Sequence, residues 1–290
     1  MAKIKIGGTV LALAGLMLIG VVAVNGLAYY TYAVKSAVIK NGFVDMPTGA
    51  SISQQAALLK SEGFLKDTVD FMAMARRFDY KNPKPGHYKL EKGMTFRSLL
   101  GKLRTGNQTP VRVTFNNIRS LERLAGSVSK FIEADSASLL AAFKSGTIAS
   151  EYGFDKANFI SMFIPDTYEL YWTVTPEEFI ARMNKEYERF WSAGERDAKR
   201  KSLGLSRKEV STLASIVIEE SKYVPEQPRI AGVYINRLRK NMPLQADPTV
   251  KYAVGDPTLK RILFKHLEVE SPYNTYKHTG LPPGPIYCPP

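Results

Sequence analysis

The chain has 290 residues, 44% hydrophobic and 23% charged, which is long enough for an anchor segment plus one large or two modest folded domains and too apolar for wholesale disorder. Its 40 Lys and Arg against 27 Asp and Glu give a net charge of +13. These cations are dispersed apart from one run at 196–208, with no zinc-finger spacing and no aromatic RNA-binding signature, so no nucleic acid partner is expected and a solubilising surface or an anionic membrane face is preferred. The single cysteine, Cys288, allows no internal disulfide, and His87, His266 and His278 are scattered without an HExxH pattern; no metal and no organic cofactor is implied.

Residues 6–34 carry no charged side chain, and residues 10–28 are almost wholly Val, Leu, Ala, Ile, Met and Gly. Because about 20 apolar residues cross a bilayer as a helix, residues 1–35 are expected to be a cytoplasmic tip and a transmembrane helix, with Tyr29, Tyr30 and Tyr32 at the interface. Lys3 and Lys5 favour a cytoplasmic amino terminus, while Lys35 and Lys40 oppose it. A cleaved signal peptide fits less well, since the apolar run is too long and no Ala-x-Ala site follows it. The rest of the chain then lies on the extracytoplasmic side of a single-pass protein of the bacterial inner membrane.

Residues 40–110 predict a small strand-helix-helix-strand unit. A strand is expected over 38–44, then a turn at Pro47, Thr48 and Gly49, then a helix opened by a capping box of Ser51 and Gln54 and stopped at Gly63. A second helix over 67–78, a strand over 87–90 and a helix over 95–103 complete it.

Residues 111–205 predict a connecting part of the catalytic region: a strand at VRVTF (111–115), then helices carrying Leu121, Leu124, Ala125, Val128, Phe131 and Ile132, and residues 136–145. FIPDTYELYW reads as a loop. Thr175, Pro176 and Glu178 open a long helix with Phe179, Met183, Tyr187, Phe190 and Trp191 on its core side. Ser127 to Lys130 satisfy SxxK, but the SDN and KTG companions of an acyl transferase are missing, so an ordinary surface serine is preferred.

Residues 206–290 carry the chemistry. Ser206 and Glu209 form a third capping box, opening a helix on which Leu213, Ile216, Val217 and Glu220 share one face. Glu220 is therefore expected to point inward and Glu219 outward. Desolvation and the negative helix end both raise the pKa of an inward carboxyl, as protonation of a glycosidic oxygen requires. Taken alone, a solvated Glu-Glu-Ser turn is the stronger alternative.

Downstream motifs change that balance. Ala214 to Val217 followed by Glu220 and Ser221, INRL at 235–238, LQADPT at 244–249, YNTY at 273–276 and GLPPGPI at 280–286 resemble, in order, the hallmarks of the endolytic murein transglycosylases of the MltG (YceG-like) family, with FIPDTYE at 163–169 as a further match. The resemblance implies an α+β fold with an amino-terminal transmembrane helix, a LysM-like βααβ subdomain, and a mixed α/β catalytic domain that is truncated at its carboxyl end, because the family continues beyond GLPPGPI while this chain stops at Pro290. It implies a lyase that cuts the MurNAc–GlcNAc bond within peptidoglycan glycan strands to leave 1,6-anhydro ends, with Glu220 as its acid and base. Partners so implied are penicillin-binding proteins and other cell-wall synthesis machinery. Ser221, Asn236, Gln245, Asp247, Thr249, Asn274, Thr275 and Tyr276 are then candidates to hold sugar or steady Glu220, each with an ordinary turn or cap role as the alternative. Arg237 is either a carboxylate or lactyl contact or a structural ion pair. Two rival functions stay open: a muramidase-type hydrolase with Asp247 as second carboxylate, and a non-catalytic peptidoglycan-binding scaffold for cell-wall synthases.

Overall fold

The structure, a computed structural model, describes residues 6–116, 118–256 and 258–288. Lys3 and Lys5, on which the expected orientation of the anchor rests, lie outside the described residues, as do Pro289 and Pro290. The fold is α+β, with thirteen α-helices and two separate two-stranded sheets among the described residues. Two compact units emerge, one of residues 1–111 with 171–173, the other of residues 112–170 and 174–290.

The first unit begins with α1 (Ile6–Ala33), whose segment Val10–Ala33 is long and apolar enough to cross a membrane. At its carboxyl end Tyr32 stacks on Phe78 with ring centroids 3.6 Å apart, the Asn25 side chain accepts from Arg77, and Lys35 pairs with Asp70 at 2.9 Å. After it come β1 (Gly42–Met46), α2 (Ile52–Ser61), α3 (Val69–Arg77), β2 (Gly86–Leu90) and α4 (Phe96–Thr105). Both halves of the Ser51–Gln54 capping box form, and Gly63 takes the left-handed φ of 71° that ends the turn beyond α2. β1 and β2 pair antiparallel, Val44 opposite Tyr88 and Met46 opposite Gly86. Their inner side chains Val44, Met46, Tyr88 and Leu90 join Leu59, Phe71, Phe96 and Leu99 in one core. A lone pair of strands is not stable in water, so these helices hold the sheet, each fully buried Leu or Phe contributing roughly 1.5–3 kcal/mol. β1 starts later than its residues suggest, because the Val38 and Ile39 amides donate to Met94 and Phe64 instead of to a strand.

The second unit contains β3 (Val111–Phe115), α5 (Leu121–Val128), α6 (Ser136–Lys144), α7 (Gly146–Glu151), β4 (Asp166–Leu170), α8 (Pro176–Ser192), α9 (Arg196–Ser202), α10 (Arg207–Glu220), α11 (Gln227–Arg239), α12 (Asp247–Val254) and the short α13 (Phe264–Leu267). Part of the expected loop FIPDTYELYW is a strand: β4 pairs with β3, Thr114 and Thr167 hydroxyls meet at 2.8 Å, and Tyr168 and Leu170 are buried. Phe163, Phe143 and Phe179 form an aromatic cluster, with centroids 5.1–6.2 Å apart. α5 stops at Val128, capped by Ser129, so Phe131, expected on this helix, lies beyond it and is exposed.

The basic run at 196–208 is a braced corner. Arg200 and Arg207 both bond Asp197, at 2.8 and 3.0 Å, and Arg207 also pairs with Glu188. Hydrogen bonds from Arg200, then Arg207, hold the Asp197 carboxyl down to about 2 from its ordinary 3.8. A depressed folded-state value stabilises above the unfolded one and loses that contribution as pH falls. The melting-temperature gap between the wild type and Asp197→Asn is therefore expected to be flat above about pH 5 and to close towards about pH 2. A gap that stays constant down to pH 2 would exclude this brace.

Candidate active site

α10 opens on the Ser206–Glu209 capping box and buries Leu213, Ile216 and Val217 against α11 and the 244–246 loop. On α11 the side chains of Ile230, Tyr234 and Leu238, four residues apart, face it. α10 ends at Glu220, and Ser221 leaves in an extended conformation. The Ser221 hydroxyl donates to Glu226 at 3.0 Å, and the Gln227 side chain donates to the Ser221 carbonyl at 3.1 Å, so Ser221 ties the turn into α11.

The expected burial of the two glutamates is reversed. Glu220 is exposed, whereas the Glu219 side chain is only 13% exposed, clamped by Arg119 at 2.8 Å and Lys222 at 2.6 Å. Periodicity gives direction around a helix but not depth along it. The packed wall ends at Val217, so the next position on the same stripe opens beyond the core. Glu220 is therefore not packed among the apolar side chains of α10.

What surrounds Glu220 is a cleft of about 1190 Å³, lined by Glu219, Glu220, Asp247, Pro248, Tyr252 and Ile286 among others. That exceeds an ordinary small-ligand pocket and suits an extended polymer. The buried Tyr234 hydroxyl donates to Glu220 Oε2 at 3.2 Å, and the Tyr276 hydroxyl donates to Asp247 at 2.6 Å. Burial, followed by the Glu220 charge, pushes the Tyr234 phenol up; burial and then Asp247 push Tyr276 up to about 12. Both phenols stay protonated at neutral pH and act as fixed donors to the two carboxylates.

The other expected residues mostly build the frame. Thr275 is fully enclosed and accepts from the Ala246 amide at 3.0 Å, while its hydroxyl meets that of Thr249 at 2.8 Å; Thr249 also donates to the Ala246 carbonyl. Asn274, also buried, donates to the Leu267 and Val269 carbonyls and accepts from the Tyr276 amide. These bonds lock the YNTY segment to the QADPT segment and so set Asp247 at the start of α12. Gln245, exposed and at φ 52°, accepts from Arg237, which also donates to the Pro243 and Leu244 carbonyls. Arg237 is thus a loop brace with no ion-pair partner among the described residues. Asn236 is exposed on α11 and is not among the cleft-lining residues.

Sequence reasoning passed over Arg119, Arg123, Lys251, Tyr252, Lys260 and Arg261, which also line the cleft. Lys251 was legible in principle, being one helical turn after Asp247 on α12. Another pocket, of about 260 Å³ and lined by Phe190, Trp191 and Leu203 among others, holds no carboxylate. Among the described residues no group of three or more His, Cys, Asp and Glu could hold a metal. Cys288 is enclosed, and burial pushes its thiol up to about 12, so it is no nucleophile.

The description of the YceG-like family matches residues 44–290. A protein named endolytic murein transglycosylase from Bacillus subtilis (strain 168) is 29% identical over 259 residues, covering 84% of this chain and 71% of that protein. A protein of the same name from Streptococcus pneumoniae (strain D39) is 28% identical over 280 residues, covering 85% of this chain but half of that one. Among solved structures, a putative yceG-like protein from Listeria monocytogenes superposes with a TM-score of 0.57 at 26% identity, covering 87% of each chain.

Proposed function

The chain belongs to the YceG-like family, and from that premise we propose that it is a membrane-anchored lytic transglycosylase that cuts murein glycan internally with Glu220 as its acid and base. One observation carries this reading: the glutamate of the family motif stands in a polymer-sized cleft with a fixed phenolic donor on it. The curated relatives named for the same activity support it.

In the proposed reaction the Glu220 proton passes to the glycosidic oxygen between MurNAc and GlcNAc as that bond breaks. The MurNAc C6 hydroxyl attacks its own anomeric carbon and returns its proton to Glu220, so the products are a GlcNAc hydroxyl and a 1,6-anhydro ring. No water is consumed and one carboxyl serves both transfers. The bound strand would cover the exposed carboxyl and shield it from water, in place of the apolar packing expected from the helix pattern. Tyr252, 42% exposed with its ring 4.7 Å from that of Tyr273, offers a flat face to a sugar. Tyr234→Phe is expected to lower kcat about tenfold with an unchanged melting temperature, since a hydrogen bond to a charged group is worth about 1.5–3 kcal/mol. An unchanged kcat would remove Tyr234 from the mechanism.

The βααβ part of the first unit is proposed to be LysM-like and to hold glycan. Orientation follows from substrate: murein lies outside the plasma membrane, so the chain that follows α1 belongs on that side. Ahead of the Asn25–Arg77 contact, residues 6–24 of α1 reach ~28 Å at 1.5 Å per residue, enough for the hydrocarbon core. Association with penicillin-binding proteins and other synthases belongs to the same proposal. A hydrolase is the second reading, favoured by one observation, that Asp247 lines the cleft together with Glu220.

Incubation of the purified full chain with uncrosslinked glycan strands tests the activity. Internal cutting predicts early loss of long strands and a spread of intermediate lengths. Intact strands would end the proposal, and release of single disaccharides from one end would end its endolytic part.

A further inference from the structure

The cleft carries charge that acid-base chemistry at Glu220 does not use. Arg123 on α5, Lys251 on α12, and Lys260 and Arg261 in the segment after α12 line it, and none has an ion-pair partner among the described residues. In the same cleft Arg119 is paired with Glu219, and elsewhere in the unit Arg200 is paired with Asp197 and Lys277 with Glu270. Among the described residues none of the cleft carboxylates Glu220, Asp247 and Asp256 forms an ion pair with any of the four, and Glu219 is taken by Arg119 and Lys222. Asp247 is engaged by the Tyr276 hydroxyl, and Asp256 accepts from the Thr258 amide and hydroxyl at 2.8 and 2.6 Å. Clustered unpaired cations facing a substrate groove repel one another, and an anion from outside relieves that repulsion.

The N-acetylated sugars of a glycan strand have no ionised group in their rings. In murein the negative charge sits on the short peptides joined to the lactyl side chains, as free carboxylates a few ångströms from the sugar backbone. Guanidinium and ammonium groups pair with carboxylates through charge-assisted hydrogen bonds, with Arg able to hold both oxygens at once. Resting on the glycan-cutting proposal above, we infer that this cleft selects strands whose muramic acids carry acidic peptides, with Arg123, Lys251, Lys260 and Arg261 as specificity-determining contacts. They act on the peptide, whereas Glu220 acts on the bond.

The test uses the full chain in detergent and two matched sets of uncrosslinked strands, identical except that peptide carboxylates are free in one and converted to carboxamides in the other. The readout is the ratio of kcat/KM for the two sets. A ratio of about ten in favour of carboxylates is expected for the wild type, falling as salt rises because exposed charges are screened. The double variant Lys260→Gln/Arg261→Gln and the separate variant Arg123→Gln, on another element, are each expected to bring the ratio towards one while keeping the wild-type melting temperature. Equal cutting of both sets by the wild type, or a ratio that neither variant changes, overturns the inference and leaves the glycan-cutting proposal standing. Failure to cut either set sinks that proposal and the inference with it.

Discussion

Replacing Glu220 by Gln is expected to lower glycan cleavage by about 10³-fold or more, since the same carboxyl supplies the acid and the base and each role alone is typically worth 10²–10⁴. Gln keeps the shape and can still accept from Tyr234, and position 220 is exposed, so the melting temperature should stay within about 2 °C of the wild type. Glu219→Gln makes the informative contrast. Its carboxylate is covered and held by Arg119 and Lys222, so its loss should lower stability measurably and cleavage by far less. If Glu219→Gln were the inactive variant and Glu220→Gln the active one, the acid would be the wrong neighbour.

The second large effect is structural. A Cβ at position 284 would stand 2.0 Å from the Ala157 carbonyl oxygen and 2.6 Å from its carbon, closer than atoms can approach. Neither side can give way easily. The 155–158 turn is fixed by Asp155, which accepts from the Ala157 and Asn158 amides, and the chain after Gly284 is strapped down by the Ile286 amide on Ser215 and the Cys288 amide on the Ile118 carbonyl. Gly284→Ala is therefore expected to cost about 3 kcal/mol or more, a fall in melting temperature of about 6–12 °C, or to leave the protein insoluble. Because Ser215 is on α10, the distortion should also reach the helix that carries Glu220. A variant melting within about 2 °C of the wild type would mean the close approach does not exist in solution.

What the sequence revealed depended on how local the cause was. The capping boxes at Ser51, Thr175 and Ser206 are closed within four residues, and all three form with both halves present. The first strand began late because two amides find partners at Phe64 and Met94, far along the chain. β4 was hidden because its five residues follow Pro165 and alternate for only two buried positions, Tyr168 and Leu170. At the site, period 3.6 aligned Glu220 with Leu213, Ile216 and Val217, yet it said nothing of where the packed wall ends. The Glu219 clamp comes from Arg119, a hundred positions away, and the cations of α5 and of the segment after α12 meet Glu220 only in the folded unit. Asn274, Thr249 and Thr275 were singled out as a polar cluster; composition could not separate loop-locking residues from sugar-facing ones, whereas their enclosure does.

The most direct test of a single-carboxyl lyase is digestion of glycan strands in water enriched in ¹⁸O, with mass spectrometry of the new ends. Attack by the C6 hydroxyl predicts 1,6-anhydro termini that contain no label. Reducing termini carrying one ¹⁸O would mean that water enters the reaction, and Asp247 would then have to be considered its activator.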